Sequence, residues 1–216
     1  RMNQTPAWLA MEDLLALTDS EIIARMSLGG ELSTGLPSIP AHMAKNKIVS
    51  VLKSVYVPSQ QVLRIVARAL SMMQDHYHDH YASPLSYRRG INNLKSPVPT
   101  AQPLCLTGLP GIGKTELAKA VMRLVQDQIV ADIGDGYSPA TLTPGRYVRV
   151  TAGSSLLKIL EQAVFDEKEL GNKLSFDNLS RIGPRKVYRD GLALLILDEM
   201  QVFARGSAES VNIIKL

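Results

Sequence analysis

Cysteine is almost absent from the chain: Cys105 is the single one in 216 residues, so no disulfide can form within it. Long apolar runs are missing too. None approaches the ~20 residues that cross a bilayer. The N-terminus also lacks the charged, then apolar, then small-residue order of a secretory leader. These absences exclude a disulfide-stapled fold and a helical membrane anchor, and the expectation is a soluble, cytoplasmic protein with no membrane partner. Nor is there a large excess of one charge. Lys and Arg number 24 against 20 Asp and Glu, for a net +4, which is compatible with nucleic acid without requiring it. What remains is ordinary: 45% hydrophobic residues are enough to bury a core, and the length suits one domain and part of a second.

An alternating strand pattern is missing from the first 100 residues, which read as helical and irregular. Thr5-Pro6 is a cap and first-turn proline, and Thr18-Asp19-Ser20-Glu21 is a capping box ahead of Ile22-Ile23, with Gly29-Gly30 as the stop. A proline-bearing connector over Glu31 to Ala41 precedes a helical period from Met43 to Val55. Pro58-Ser59 then opens the longest helix, with Val62, Leu63, Val66, Ala69, Leu70 and Met73 on one face. His76 and His80, four apart at its end, share a face on which a divalent metal could bind, but no cysteine or glutamate completes a ligand set. Pro84, Pro97 and Pro99 predict a loop from Ala82 to Thr100, holding the basic and aromatic group Ser86-Tyr87-Arg88-Arg89-Gly90, which is either a solvated turn or a nucleotide or nucleic-acid contact. The expected organisation is a helical region over 1–57, a helix and linker over 58–100, and a nucleotide-binding domain over 101–216.

That last assignment rests on Gly108-Leu109-Pro110-Gly111-Ile112-Gly113-Lys114-Thr115, which fits G-x-x-x-x-G-K-[ST] without exception. The glycines let consecutive backbone N–H groups face an anion, and the following helix offers its positive end. Lys114 reaches the outer phosphates, and the Thr115 hydroxyl ligates magnesium. Glu116 opens the helix beside these contacts and joins the nucleotide-binding set. Before the loop, Ala101 to Thr107 predicts a buried parallel strand containing Cys105; after it, Glu116 to Gln128 predicts a helix. The expected ligands are a nucleoside triphosphate and Mg2+.

Gly134-Asp135-Gly136 through Pro144-Gly145 reads as a surface loop, and Tyr147 to Thr151 alternates like a strand. Ser154 or Ser155 can cap the helix carrying Leu156, Leu157, Ile159, Leu160 and Val164. Ser175 to Tyr188 has a weaker helical pattern with Arg181, Arg185, Lys186 and Arg189 nearby, a run that is either a solvated face or an anion-binding surface. Leu192 to Leu197 is an unbroken apolar strand ending in Asp198-Glu199. In a parallel sheet the ligand crevice lies at the carboxyl ends of strands. Asp198 is therefore expected to hold the metal, and Glu199 to orient and deprotonate the attacking water, which with Lys114 makes the catalytic pair.

Together these two motifs resemble the AAA+ ATPases, an α/β P-loop fold with a parallel sheet flanked by helices, here preceded by a helical region. The strand Tyr147 to Thr151 followed by Gly153-Ser154-Ser155-Leu156-Leu157 resembles the TnsC/TniB group of transposition regulators. So do Leu194 to Gln201 followed by Ala204-Arg205-Gly206-Ser207, and the segment through Tyr87-Arg88-Arg89. The resemblance implies an ATPase, with ATP as the triphosphate, that assembles as a homo-oligomeric ring or filament on double-stranded DNA and links a target-selector protein to a transposase. It makes Ser154, Ser155 and Lys158 candidate DNA contacts, with Arg181, Arg185, Lys186 and Arg189 behind them. In that family a further strand, a sensor residue, an arginine finger and a lid follow the Asp-Glu strand. A chain ending at Leu216 is accordingly expected to be cut short after that strand and to hydrolyse ATP poorly. Alternatives are an IstB-like or helicase-loader-like ATPase, or a nucleotide-switch scaffold that binds no DNA.

Overall fold

The computed structural model describes residues 6–9, 11–29, 36–92, 103–165 and 175–204. A 3-10 turn at Ala7–Leu9 leads to α1 (Asp19–Met26), which opens on the predicted capping box. The Thr18 hydroxyl accepts from the Glu21 N–H at 3.3 Å, and the Glu21 carboxylate accepts from the Thr18 N–H at 2.8 Å. Next come α2 (Ala41–Ser54) and α3 (Gln60–His80), the latter capped by Ser59. Leu63, Val66, Leu70, Met73 and Tyr77 of α3 face inward at helical spacing.

The expected loop from Ala82 is instead helical over α4 (Pro84–Asn92). Pro84 occupies the first helical position, where its missing N–H costs nothing, and Ser83 and Ser86 exchange capping hydrogen bonds. Tyr87 is buried, and Arg88 pairs with Asp135 and lies 5.0 Å over the Tyr137 ring, so two members of the basic and aromatic group serve packing. Residues 93–102 lie outside the described set.

Pro103 to Thr107 joins no strand, and Cys105 is exposed rather than in a core strand, with Leu104 53% and Leu106 41% exposed beside it. The cause is pairing: none of the described strands pairs with this segment, and without a neighbouring strand its apolar side chains are left exposed. The phosphate-loop helix α5 (Lys114–Leu124) ends sooner than its periodicity suggested. After it, β1 (Ile129–Ala131) pairs antiparallel with β2 (Ala140–Leu142), in register Ile129 to Leu142, and β2 falls within the expected surface loop from Gly134 to Gly145. Gly134, Asp135 and Gly136, all at positive φ, lie in the connection, and Leu142 is fully buried.

The remaining elements are β3 (Gly145–Arg149), α6 (Leu156–Val164), α7 (Phe176–Arg189), β4 (Leu194–Asp198) and α8 (Met200–Ala204). β3 and β4 are parallel, with Tyr147 opposite Ile196 and Arg149 opposite Asp198. The pleat sends alternate residues to opposite faces. Gly145 lies against Met122 of α5 and Val125 at its C-cap on one face, while Arg146 donates to the Ala163 carbonyl of α6 on the other. The result is a helix, sheet, helix sandwich, as the α/β expectation required.

One hydrophobic cluster runs from Leu9, Met26, Val66 and Leu70 to Ala120, Leu124, Ile129 and Leu142, so the N-terminal helices and the nucleotide motifs share a core. Three tyrosines strengthen the join at the end of α7, where helix carbonyls lack intrahelical partners. Tyr77 donates to Gly191 O at 2.6 Å, Tyr81 to Tyr188 O at 2.9 Å and Tyr87 to Arg189 O at 2.6 Å. Burial pushes all three phenols up, Tyr87 to about 12, so they stay protonated donors. The Tyr188 ring packs on Gly90, where a Cβ would lie 2.3 Å away.

Candidate nucleotide site

The glycines of the loop are there for backbone shape. Gly111 and Gly113 have φ of 80° and 92°, values an L side chain resists, and Gly113 caps α5 from that conformation. Leu109 and Ile112 are 77% and 69% exposed, so the loop turns its side chains to water and is held by its backbone. Lys114 donates from Nζ to the Gly108 and Leu109 carbonyls at 2.9 and 3.0 Å, which curls the ammonium over the loop. Glu116 pairs with Lys119 at 2.8 Å, one turn along α5.

Thr115 and Asp198 come from opposite ends of the motif set, and the fold brings them close enough for the Thr115 hydroxyl to favour the ionised Asp198 carboxyl. The hydrogen-bond donors to Asp198 are the Tyr147 hydroxyl, 2.8 Å from Oδ2, and the Glu199 N–H, 2.9 Å from Oδ1. Burial pushes the Asp198 carboxyl up, but these hydrogen bonds and the Arg149 charge outweigh it and hold the group below the usual range. It is therefore an anion at neutral pH. Glu199 has φ 63°, uncommon for a residue with a Cβ, and its carboxylate accepts from the Gln201 side-chain amide.

Tyr147 and Gln201 lie in segments that carry the family resemblance, but no role at the site was assigned to either. Tyr147 was legible only as a strand residue, and its reach to Asp198 depends on the register of two strands distant in sequence.

The proposed DNA contacts fall on other elements. Ser155 caps α6 by accepting from the Lys158 N–H at 3.2 Å, Ser154 shares a hydrogen bond with Thr151 at 3.0 Å, and Lys158 is exposed. Arg181 and Arg185 point outward from α7 one turn apart. Lys186 instead pairs with Asp190 at 2.6 Å and lies 5.6 Å over the Phe165 ring, and Arg189 also reaches Asp190. The His76 and His80 rings lie 5.0 Å apart, tilted by 54°, but among the described residues no group of three His, Cys, Asp or Glu forms a metal cluster. Nor is any described helix long and apolar enough to cross a membrane.

No curated protein matches the chain. A family model does: that of the AAA domain covers residues 99–216, more than half of the sequence, and takes in the glycine loop, α5 and the strand ending at Asp198. Domains of this family bind nucleotide with Mg2+ and are generally ATPases. The match and the loop-to-strand geometry agree, and the chain belongs to the AAA domain family.

Proposed function

We propose that this chain binds ATP with Mg2+ between the loop Gly108–Thr115 and the end of β4, and that the bound state regulates assembly on double-stranded DNA. The observation that carries the nucleotide half is that the fold brings Asp198, at the end of β4, beside Thr115 of the glycine loop. A hydroxyl and an anionic carboxylate held together supply the hard oxygen donors that Mg2+ prefers, so the residues present fit the ion. When bound, the ion would neutralise phosphate charge. The chain's own contributions are these: backbone N–H groups of the loop and the α5 N-terminus face the phosphates, and Lys114 exchanges its two carbonyl partners for phosphate oxygens. Asp198 and Thr115 hold the metal, and Glu199 orients the attacking water and takes its proton.

The DNA half rests on the resemblance to transposition regulators and on the outward pair Arg181 and Arg185. In that reading the partners are a transposase and a target-selector protein, the chain assembles with copies of itself, and Ser154, Ser155 and Lys158 add contacts. A fluorescent ATP analogue tests the nucleotide half. Lys114→Ala removes one charged hydrogen-bond donor, worth ~1.5–3 kcal/mol, so affinity should fall roughly ten- to a hundredfold. Equal affinity would sink the assignment. For the DNA half, neutralising Arg181 and Arg185 should flatten the dependence of log affinity on log salt for duplex DNA, and no ATP-stimulated binding at all would leave a scaffold without DNA.

A further inference from the structure

Tyr147 lies outside every motif that marks the site. We infer that it is a positioning residue for the metal-binding carboxylate: its hydroxyl fixes the orientation in which Asp198 meets Mg2+. This rests on the nucleotide-site reading above and adds to it a residue that the loop and strand motifs do not contain.

The argument begins with register. Tyr147 stands opposite Ile196 and shares a sheet face with Asp198, two residues further along the neighbouring strand. Diagonal neighbours across a sheet are separated by more than a short side chain can span, but an aromatic one reaches. The phenol carries its oxygen that far and donates to Asp198 Oδ2 at 2.8 Å. The Glu199 N–H donates to Oδ1 at 2.9 Å, and the Thr115 hydroxyl lies close enough to favour the ionised carboxylate. An ionised carboxylate offers about four lone-pair sites. Two donors on different oxygens, with the Thr115 hydroxyl close by, therefore hold its plane and leave lone-pair capacity for a metal.

Core packing does not account for this tyrosine. Tyr77, Tyr81 and Tyr87 are almost wholly buried and donate to backbone carbonyls at the end of α7. Tyr147 is only half-buried and donates to a carboxylate. Without the hydroxyl, Asp198 would keep its charge, its Glu199 hydrogen bond and its place beside Thr115, yet Oδ2 would be free to rotate toward Arg149, whose charge already acts on it. Metal capture should suffer, whereas phosphate contacts made by the glycine loop and Lys114 should not.

The test uses the whole chain and mant-ATP as the probe, with Mg2+ titrated from EDTA upward. Tyr147→Phe deletes one oxygen and keeps the ring. The expected result is a rise of about tenfold in the Mg2+ midpoint, with mant-ATP affinity in EDTA unchanged within twofold. In an Asp198→Ala background the same change should have no further effect, because Tyr147 acts through that carboxylate. A midpoint within twofold of the parent overturns the inference. So does an equal loss in EDTA, which would mean general damage, or a full additional shift in the Asp198→Ala background. If the parent shows no Mg2+-dependent mant-ATP binding, the nucleotide-site reading itself falls and takes this inference with it, an outcome the parent titration alone identifies.

Discussion

Removing the Tyr77 hydroxyl should uncouple the N-terminal helices from the turn into β4. Tyr77 is 0% exposed and donates to Gly191 O at 2.6 Å, and Gly191 is itself buried. In Tyr77→Phe the ring still packs, so the cavity is negligible. The loss is one hydrogen bond, ~1 kcal/mol net, together with a buried carbonyl whose tyrosine donor is gone, ~1–3 kcal/mol. A total of about 2–4 kcal/mol follows, or roughly 4–16 °C in melting temperature for a chain of this size. Tyr87→Phe is the internal control. Its acceptor belongs to the exposed Arg189, where water can replace the phenol, so the cost should be about 0.5–1 kcal/mol. The chain supplies its own probe, because its one tryptophan, Trp8, donates to Tyr81 O at 2.7 Å and lies 5.5 Å from the Tyr87 ring. Urea unfolding of the parent, followed by Trp8 fluorescence and by far-UV circular dichroism, should give coincident transitions, since both halves share one core. Equal losses for the two variants would refute the burial argument, and separated transitions in the parent would refute the shared core.

His76 gives a pH prediction. Burial, then the nearby His80 charge, lower its pKa to about 4 from an ordinary 6.5, with Asp79 opposing weakly, and its ring contacts are Tyr77, His80 and Tyr81. The unfolded chain therefore takes up a proton between pH 6.5 and 4 that the folded chain refuses, and stability falls as pH drops through that window. Allowing for partial exposure, the loss is roughly 1–2 kcal/mol, and it should disappear from the difference between urea midpoints at pH 7 and 4.5 in His76→Gln. An identical pH dependence in parent and variant would contradict it. At Glu199 the backbone, not the side chain, predicts stability: with φ 63°, Glu199→Gly should be more stable than Glu199→Ala by ~1 kcal/mol in thermal melts. A more stable Ala variant would show that the left-handed conformation carries no strain.

The pattern of what could be read in advance follows how far along the chain each cause lies. Thr18 with Glu21, Ser59, Ser155 and Ser175 cap helices through bonds to residues three positions on, and each was visible in sequence or lay within a residue of the expected start. The glycine loop was equally local, because Gly111 and Gly113 answer to their own φ. Errors came where a distant partner decides. Pro84 suggests a loop until it is seen as the first residue of α4, a helix that Tyr87 and Gly90 press against Tyr188. Leu104 and Leu106 suggest a buried strand, yet burial of a strand depends on its neighbours, and none of the described strands pairs with theirs. Ala140 to Leu142 has too few residues for alternation to show, and became a strand because Ile129 to Ala131 pairs with it. The site divides the same way. Lys114, Thr115, Asp198 and Glu199 each sit in a motif that can be read along a few residues. Tyr147 becomes part of the site only when β3 and β4 align in parallel, and register is a property of two segments at once. A single sequence therefore exposes the residues that bind by local geometry and conceals those that act by holding them in place.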